Sequence, residues 1–220
     1  QVRVGPQPVR SRLALPLSSP LAEMAMLARI ASMMVPGFAA GALEVYLTKT
    51  YGADISLLSE TSTLGLPRLY GLVILNTVAS AFVLFYLGMQ VGMSRGKFVE
   101  EAKKAGDEDA EARFSYPKIY AEGFGEQAKL FNCVQRSHQQ ALETYPSLAV
   151  CCLLGGLHHP VSTSLAQLVW MVARVKWAEG YRRGAAARYE SKWSFHIWTT
   201  FLLSLSLAMS SGVRILCNAV

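Results

Sequence analysis

The segment Arg136-Ser137-His138-Gln139-Gln140-Ala141-Leu142-Glu143-Thr144-Tyr145-Pro146 sits inside an otherwise apolar, helix-length run from residue 130 to 157. An arginine at membrane depth costs roughly 2.5 to 3.5 kcal/mol near a helix centre, and a carboxylate is similarly unwelcome. A chain carries such groups where they face each other, a cavity or a polar ligand. At 100° per residue, Arg136, Gln140 and Glu143 fall on one face. They form a polar stripe on a greasy helix, and the reading works outward from that stripe.

Only 16% of the 220 residues are charged and 52% are hydrophobic, with a mean hydropathy of +0.27. A soluble domain averages about 25% charged residues. The composition therefore points to an all-α integral membrane protein rather than several soluble domains. The net charge of +6 is read as membrane topology. The basic residues do not cluster with exposed aromatics, which argues against nucleic acid as a partner. Membrane lipids are the partner that this composition implies.

The apolar segments give the architecture. Residues 69–93 contain no charge and read as a spanning helix. Residues 127–157, 162–183 and 192–216 read as three more, which makes a four-helix transmembrane domain over 66–220. Residues 1–65 form an N-terminal extension. Its proline-containing start reads as extended. Residues 21–47 read either as an interfacial helix or as an extra span kinked at Pro36. The insert 95–126 has nearly balanced charge and lacks an apolar face before Phe114, so it reads as a solvated loop or surface helix. The loops after the first and third spans hold nearly all the Lys and Arg, which places both on one side of the bilayer.

The N-terminal stretch carries Arg3, Arg10 and Arg12 and no acid before Glu23. That composition resembles an organelle transit segment and favours a mitochondrial membrane, with the endoplasmic reticulum as the alternative. Cys133, Cys151, Cys152 and Cys217 lie in apolar stretches and read as packing residues. No C-x-x-C or Cys/His spacing of a metal site is present. His158 and His159, before Pro160, read as turn residues at the membrane surface. His138 faces away from the stripe and reads as a packed histidine. Trp193, Trp198 and Tyr189 read as an interfacial aromatic belt.

A second stripe runs along the third span: Arg174, Trp177 and Tyr181, then Arg188 just past the helix end. Two neighbouring helices thus offer polar lines that rise toward the basic side. Arginines and a hydroxyl in a low-dielectric cleft suit an anionic ligand, and a nearby cation favours a thiolate. Pairing of these groups with one another, Arg136 with Glu143 for instance, is the competing reading.

The run Phe131-Asn132-Cys133-Val134-Gln135-Arg136-Ser137-His138-Gln139, followed by Leu142-Glu143-Thr144-Tyr145-Pro146, resembles the membrane-associated proteins in eicosanoid and glutathione metabolism, the MAPEG family, and within it the type-3 microsomal glutathione transferases. Similarity continues through Gly155-Gly156-Leu157-His158-His159-Pro160, Ala173-Arg174-Val175, Gly180-Tyr181 and the loop Tyr116-Pro117-Lys118-Ile119-Tyr120. It covers roughly residues 69 to 216.

The resemblance implies a four-helix bundle that forms a homotrimer, with glutathione as co-substrate between adjacent subunits. By position, it assigns glutathione contacts to Arg95, Arg136, Gln140, Glu143, Arg174, Trp177 and Tyr181. Arg188 would stabilise the thiolate, with Tyr181 beside it. The implied activity is that of a glutathione transferase or peroxidase acting on lipophilic electrophiles or lipid hydroperoxides. Departures from the pattern are Gln140 in place of an asparagine, Trp177 in place of a tyrosine, and Arg95-Gly96 where the family has two basic residues. The extension 1–65 and the insert 99–115 have no counterpart. They support an alternative: a non-catalytic accessory subunit, docked through residues 1–65 into a large membrane complex.

Overall fold

A computed structural model describes residues 20–52, 54 and 60–217. The basic stretch with Arg3, Arg10 and Arg12 lies outside the described residues. The described chain is helical: α1 Pro20–Tyr51, α2 Tyr70–Lys104, α3 Ala110–Phe114, α4 Glu126–Gly156, α5 Pro160–Arg182 and α6 His196–Cys217, with a 3₁₀ turn at Ala186–Tyr189 before α6. Three of these helices, α1 from Met24, α2 and α6, are long and apolar enough to cross a membrane. The chain is an all-helical integral membrane protein. Helices α4 and α5 are the more polar members of the bundle because they carry the two stripes.

Residues 21–47 lie in one continuous helix. Pro36 is contained within α1, and the helix extends to Tyr51. From Leu21 to Ile30, the described side chains are exposed, as suits a helix that is apolar on every side.

From Met33 onward the chain forms one compact unit. Here α1 approaches α5 and α6 through small residues. Gly37 lies so close to Ser206 that a Cβ would overlap it, and Gly41 rests on His159 and Leu207. In lipid there is no hydrophobic gain from bringing helices together, so close backbone approach and interhelical hydrogen bonds supply the association. Both occur here: the Ser206 hydroxyl donates to the Met34 carbonyl at 3.0 Å.

The core of the bundle is partly polar. The Tyr145 hydroxyl on α4 meets Ser80 at 2.8 Å and donates to the Thr77 carbonyl at 3.1 Å, both on α2. Gln167 on α5 donates to the Thr77 hydroxyl at 2.8 Å. These bonds tie α2, α4 and α5 together across an interior where unsatisfied polar groups are costly. Arg182 at the end of α5 donates to Gln90 of α2 at 2.8 Å. The C-terminal end of α5 therefore lies against the C-terminal half of α2.

The insert differs from its expectation. Residues 95–104 do not leave the helix; α2 continues through them to Lys104. Phe98, Phe114 and Phe131 pack with ring centroids 5.2 to 5.7 Å apart, Phe131 edge-on to the other two, and Val99, Ala102, Ala110 and Ala121 pack around them. This small apolar core, added to α2 and α4, holds the insert down. The exposed Lys103–Glu111 ion pair at 2.7 Å closes it from outside. The stretch 192–195, read as the start of the last span, is turn, and α6 begins at His196.

Candidate functional site

Helices α4 and α5 run side by side and bring most of the two stripes together. Arg174 of α5 is the most enclosed charge in the region, 2% exposed. Its guanidinium donates to the Gln140 side-chain oxygen on α4 and reaches the Thr144 hydroxyl at 3.5 Å. Trp170 and Trp177 flank it, with ring centroids 5.5 and 5.1 Å from the guanidinium carbon. Arg174 thus has neutral partners and aromatic walls, and its Nε is buried without a partner among the described residues. Cation–π contact offsets part of the desolvation of such a charge.

The aromatic wall continues outward. Trp177 stacks on Tyr181 at 4.8 Å, and Arg188 lies over the Tyr181 and Tyr189 rings at 5.8 and 5.2 Å. Arg174, Trp177, Tyr181 and Arg188 therefore form one stacked column that climbs α5 into the 3₁₀ turn. Gly180 makes this possible: its backbone is packed directly against Ala187, with no space for a side chain. Arg188 also donates to the Ala185 carbonyl at 2.5 Å, and the Cys133 thiol of α4 lies beside that same segment.

Arg136 and Glu143 are paired with each other at 2.5 Å and are both half-exposed. Tyr120 and Tyr181 lie near enough to act electrostatically on Arg136. Tyr120 itself donates to Gln139 at 2.5 Å, so the loop after the insert is drawn onto the same face of α4. The outer part of the site is therefore an open strip of two guanidiniums, one carboxylate and phenol hydroxyls. The inner part is closed. The space beside Arg174 is filled by the Trp177 indole, which is 3% exposed and whose Nε1 has no partner among the described residues.

Arg95 is placed apart from this group. It is buried, and it donates to the Phe114 carbonyl at 3.0 Å and the Lys118 carbonyl at 2.7 Å, with the Tyr116 ring 4.2 Å from its guanidinium carbon. Those bonds make it a clasp for the insert. Of the sequence-predicted residues, Gln140, Arg174, Trp177, Tyr181 and Arg188 form one connected set, Arg136 and Glu143 a pair beside it, and Arg95 neither.

Thr144 and Trp170 escaped the sequence reading. Each lies one helical turn from a residue already singled out, Gln140 and Arg174, so the spacing held the signal. Tyr120 carried none, because nothing in the sequence returns the loop to α4.

Hollows open elsewhere. One groove of about 520 Å³ between α2 and α4 is lined by Gly88, Gly92, Tyr116, His138 and apolar neighbours. Another, of about 290 Å³, lies between α1 and α5.

The sequence carries a match to the model of one family over residues 73–209, from within α2 to within α6 and spanning all of α4 and α5. That is more than half of the chain, and it includes every member of the stacked column and both members of the exposed ion pair; the chain belongs to the MAPEG family.

Proposed function

We propose that this chain binds glutathione at the strip formed by Arg136, Glu143, Tyr181 and Arg188, and acts there as a glutathione transferase or peroxidase on lipophilic electrophiles or lipid hydroperoxides. The observation that carries the reading is the pair of guanidiniums, Arg136 and Arg188, held on adjoining segments around the Tyr181 phenol. Arg136 and Glu143 would engage the charged ends of the tripeptide, exchanging their mutual pair for ligand contacts. Arg188 would stabilise the thiolate. That thiolate would displace a leaving group from an electrophilic carbon, or attack the terminal peroxide oxygen and break the O–O bond, giving a sulfenic acid and a lipid alkoxide that leaves as the alcohol after protonation. A second glutathione would then convert the sulfenic acid to the disulfide and water. Arg136 and Glu143 are half-exposed in the single chain, which leaves them accessible to a second copy in a trimer of the kind the family resemblance implies. The basic N-terminus favours a mitochondrial membrane.

A second reading has one observation in its favour. The Trp177 indole fills the space beside Arg174, where a glutamine in place of asparagine and an indole in place of a phenol both add bulk. A family member that has lost its inner pocket would serve as an accessory subunit, with α1 as the added element.

Glutathione binding to the detergent-purified chain separates the two. The enzyme reading expects saturable binding with a rise in ultraviolet thiolate absorbance, lost in Arg188→Ala while the protein still elutes as before. Absence of both binding and thiolate signal in the parent, with binding gained in a Gln140→Asn, Trp177→Tyr double variant, would establish the accessory reading instead.

A further inference from the structure

The final turns of α1 end their run of small residues on a carboxylate. One turn beyond Gly41, Glu44 is buried. Its two oxygens accept the backbone N–H groups of Val161 and Ser162, each at 2.8 Å. These are among the first N–H groups of α5, which have no carbonyl of their own helix to bond. The residue at the N-cap position of α5, His159, makes no side-chain cap bond; its ring instead meets Ser210 of α6 at 2.9 Å. The end of α5 is therefore completed by an acid from a different helix, at the terminus where the helix dipole favours negative charge. The Ser162 hydroxyl adds a weaker link to the Ala40 carbonyl at 3.5 Å.

None of this belongs to the strip described above, yet α5 carries Arg174, Trp177 and Tyr181. A helix held at its first turn in both depth and rotation is also held further along, because its residues are rigidly related by a rise of about 1.5 Å and a turn of about 100° each. We propose that Glu44 is a positioning residue. By fixing the first turn of α5, it sets the depth and rotation at which Arg174, with Trp170 and Trp177 of the same helix, meets Gln140 and Thr144 of α4. The extension thereby becomes part of the working bundle instead of a tether to something else. The proposal concerns the geometry of α5 and does not depend on what the strip binds.

The four tryptophans are Trp170, Trp177, Trp193 and Trp198. In a Trp193→Phe, Trp198→Phe background, the two remaining indoles are those that flank Arg174, so indole emission and the indole bands of near-ultraviolet circular dichroism report on how that face of α5 seats against its neighbours, Trp170 on Tyr145 of α4 and Trp177 on Ile197 of α6. With the full chain in lipid nanodiscs, Glu44→Ala is expected to shift both signals and to speed amide exchange at Val161 and Ser162 several-fold. Glu44→Gln keeps one acceptor and is expected to shift them partway. Ser210→Ala, which removes the partner of His159 without touching Glu44, is expected to leave the indole signals unchanged.

Indole spectra of Glu44→Ala that superimpose on the parent would overturn the proposal, whether or not the first-turn amides exchange faster, since the carboxylate would then be at most a local cap. Should Glu44→Ala fail to assemble, Glu44→Gln decides on the same criterion. Glutathione binding is measured separately, so its absence in the parent would refute the proposed function while leaving this test intact.

Discussion

The Arg174 guanidinium donates across the α4–α5 seam to the side-chain oxygen of Gln140, and the charge of one helix is thereby satisfied by the amide of the other. A hydrogen bond to a charged group contributes about 1.5 to 3 kcal/mol, and removing one partner leaves the other unsatisfied. Gln140→Leu is expected to destabilise the bundle by about that amount. The double variant Gln140→Leu, Arg174→Met is expected to recover most of the loss, because replacing a complete buried polar set by apolar groups of similar volume is often neutral. Reversible unfolding in mixed micelles, read as a double-mutant cycle, checks this; additive single effects would show the two residues to be energetically independent.

Arg136 and Glu143 behave differently because both are half-exposed. Exposed ion pairs contribute about 0 to 1 kcal/mol, so Glu143→Gln is expected to change the unfolding midpoint little. On the proposed function, the same substitution weakens glutathione binding. Stability and affinity are thus expected to separate at this pair and to move together at Arg174. A loss of stability beyond about 1 kcal/mol in Glu143→Gln would mark the pair as structural glue.

The two stripes were legible in the sequence because a helix repeats its face every three to four residues. Which members would pair was not. Arg136 has both Gln140 and Glu143 on its own face, and spacing alone cannot say that the first turns to Arg174 and the second back to Arg136. Arg95 illustrates a different limit. The resemblance assigns it to glutathione, but its partners here are the carbonyls of Phe114 and Lys118, presented by an insert whose fold depends on three phenylalanines far apart in the chain. For the same reason α2 outruns its apolar stretch: tertiary packing by Phe98 extends it past Met93. The helical character of α1 was open to composition, but the docking of Glu44 was not, because it depends on the free N–H groups of another helix.

His159 sits in the turn between α4 and α5, outside the spanning helices. Burial, and then the nearby Arg214 and His158 charges, push its imidazole down to about 4. Its ordinary value is 6.5, so over that interval the unfolded chain binds a proton that the folded chain refuses. Stability is therefore expected to be complete above about pH 6.5 and to fall as the pH drops from there toward about 4. The signature is a melting temperature that declines over this window in the parent and less so in His159→Asn. A parent profile that is flat across it would contradict the burial of the neutral ring.

Gly180 offers the sharpest handle on the stacked column. Alanine has the higher helix propensity, by up to about 1 kcal/mol, so an exposed glycine in α5 would tolerate the change or gain from it. Here the added methyl would meet the Ala187 carbonyl and the Arg188 backbone, and backbone cannot step aside as a flexible side chain can. Overpacking of this kind costs typically about 1 to 3 kcal/mol. The expected relief is displacement of the Ala186–Tyr189 turn, which carries Arg188 off the Tyr181 ring. Gly180→Ala should therefore lower stability moderately. On the proposed function it should also suppress the thiolate signal of bound glutathione nearly as fully as Arg188→Ala, although it alters no group that touches the ligand. Thiolate absorbance and binding affinity measured side by side check this: an unchanged signal with reduced stability would mean that the turn yields without moving Arg188, and the column would then have no part in setting the charge at the sulfur.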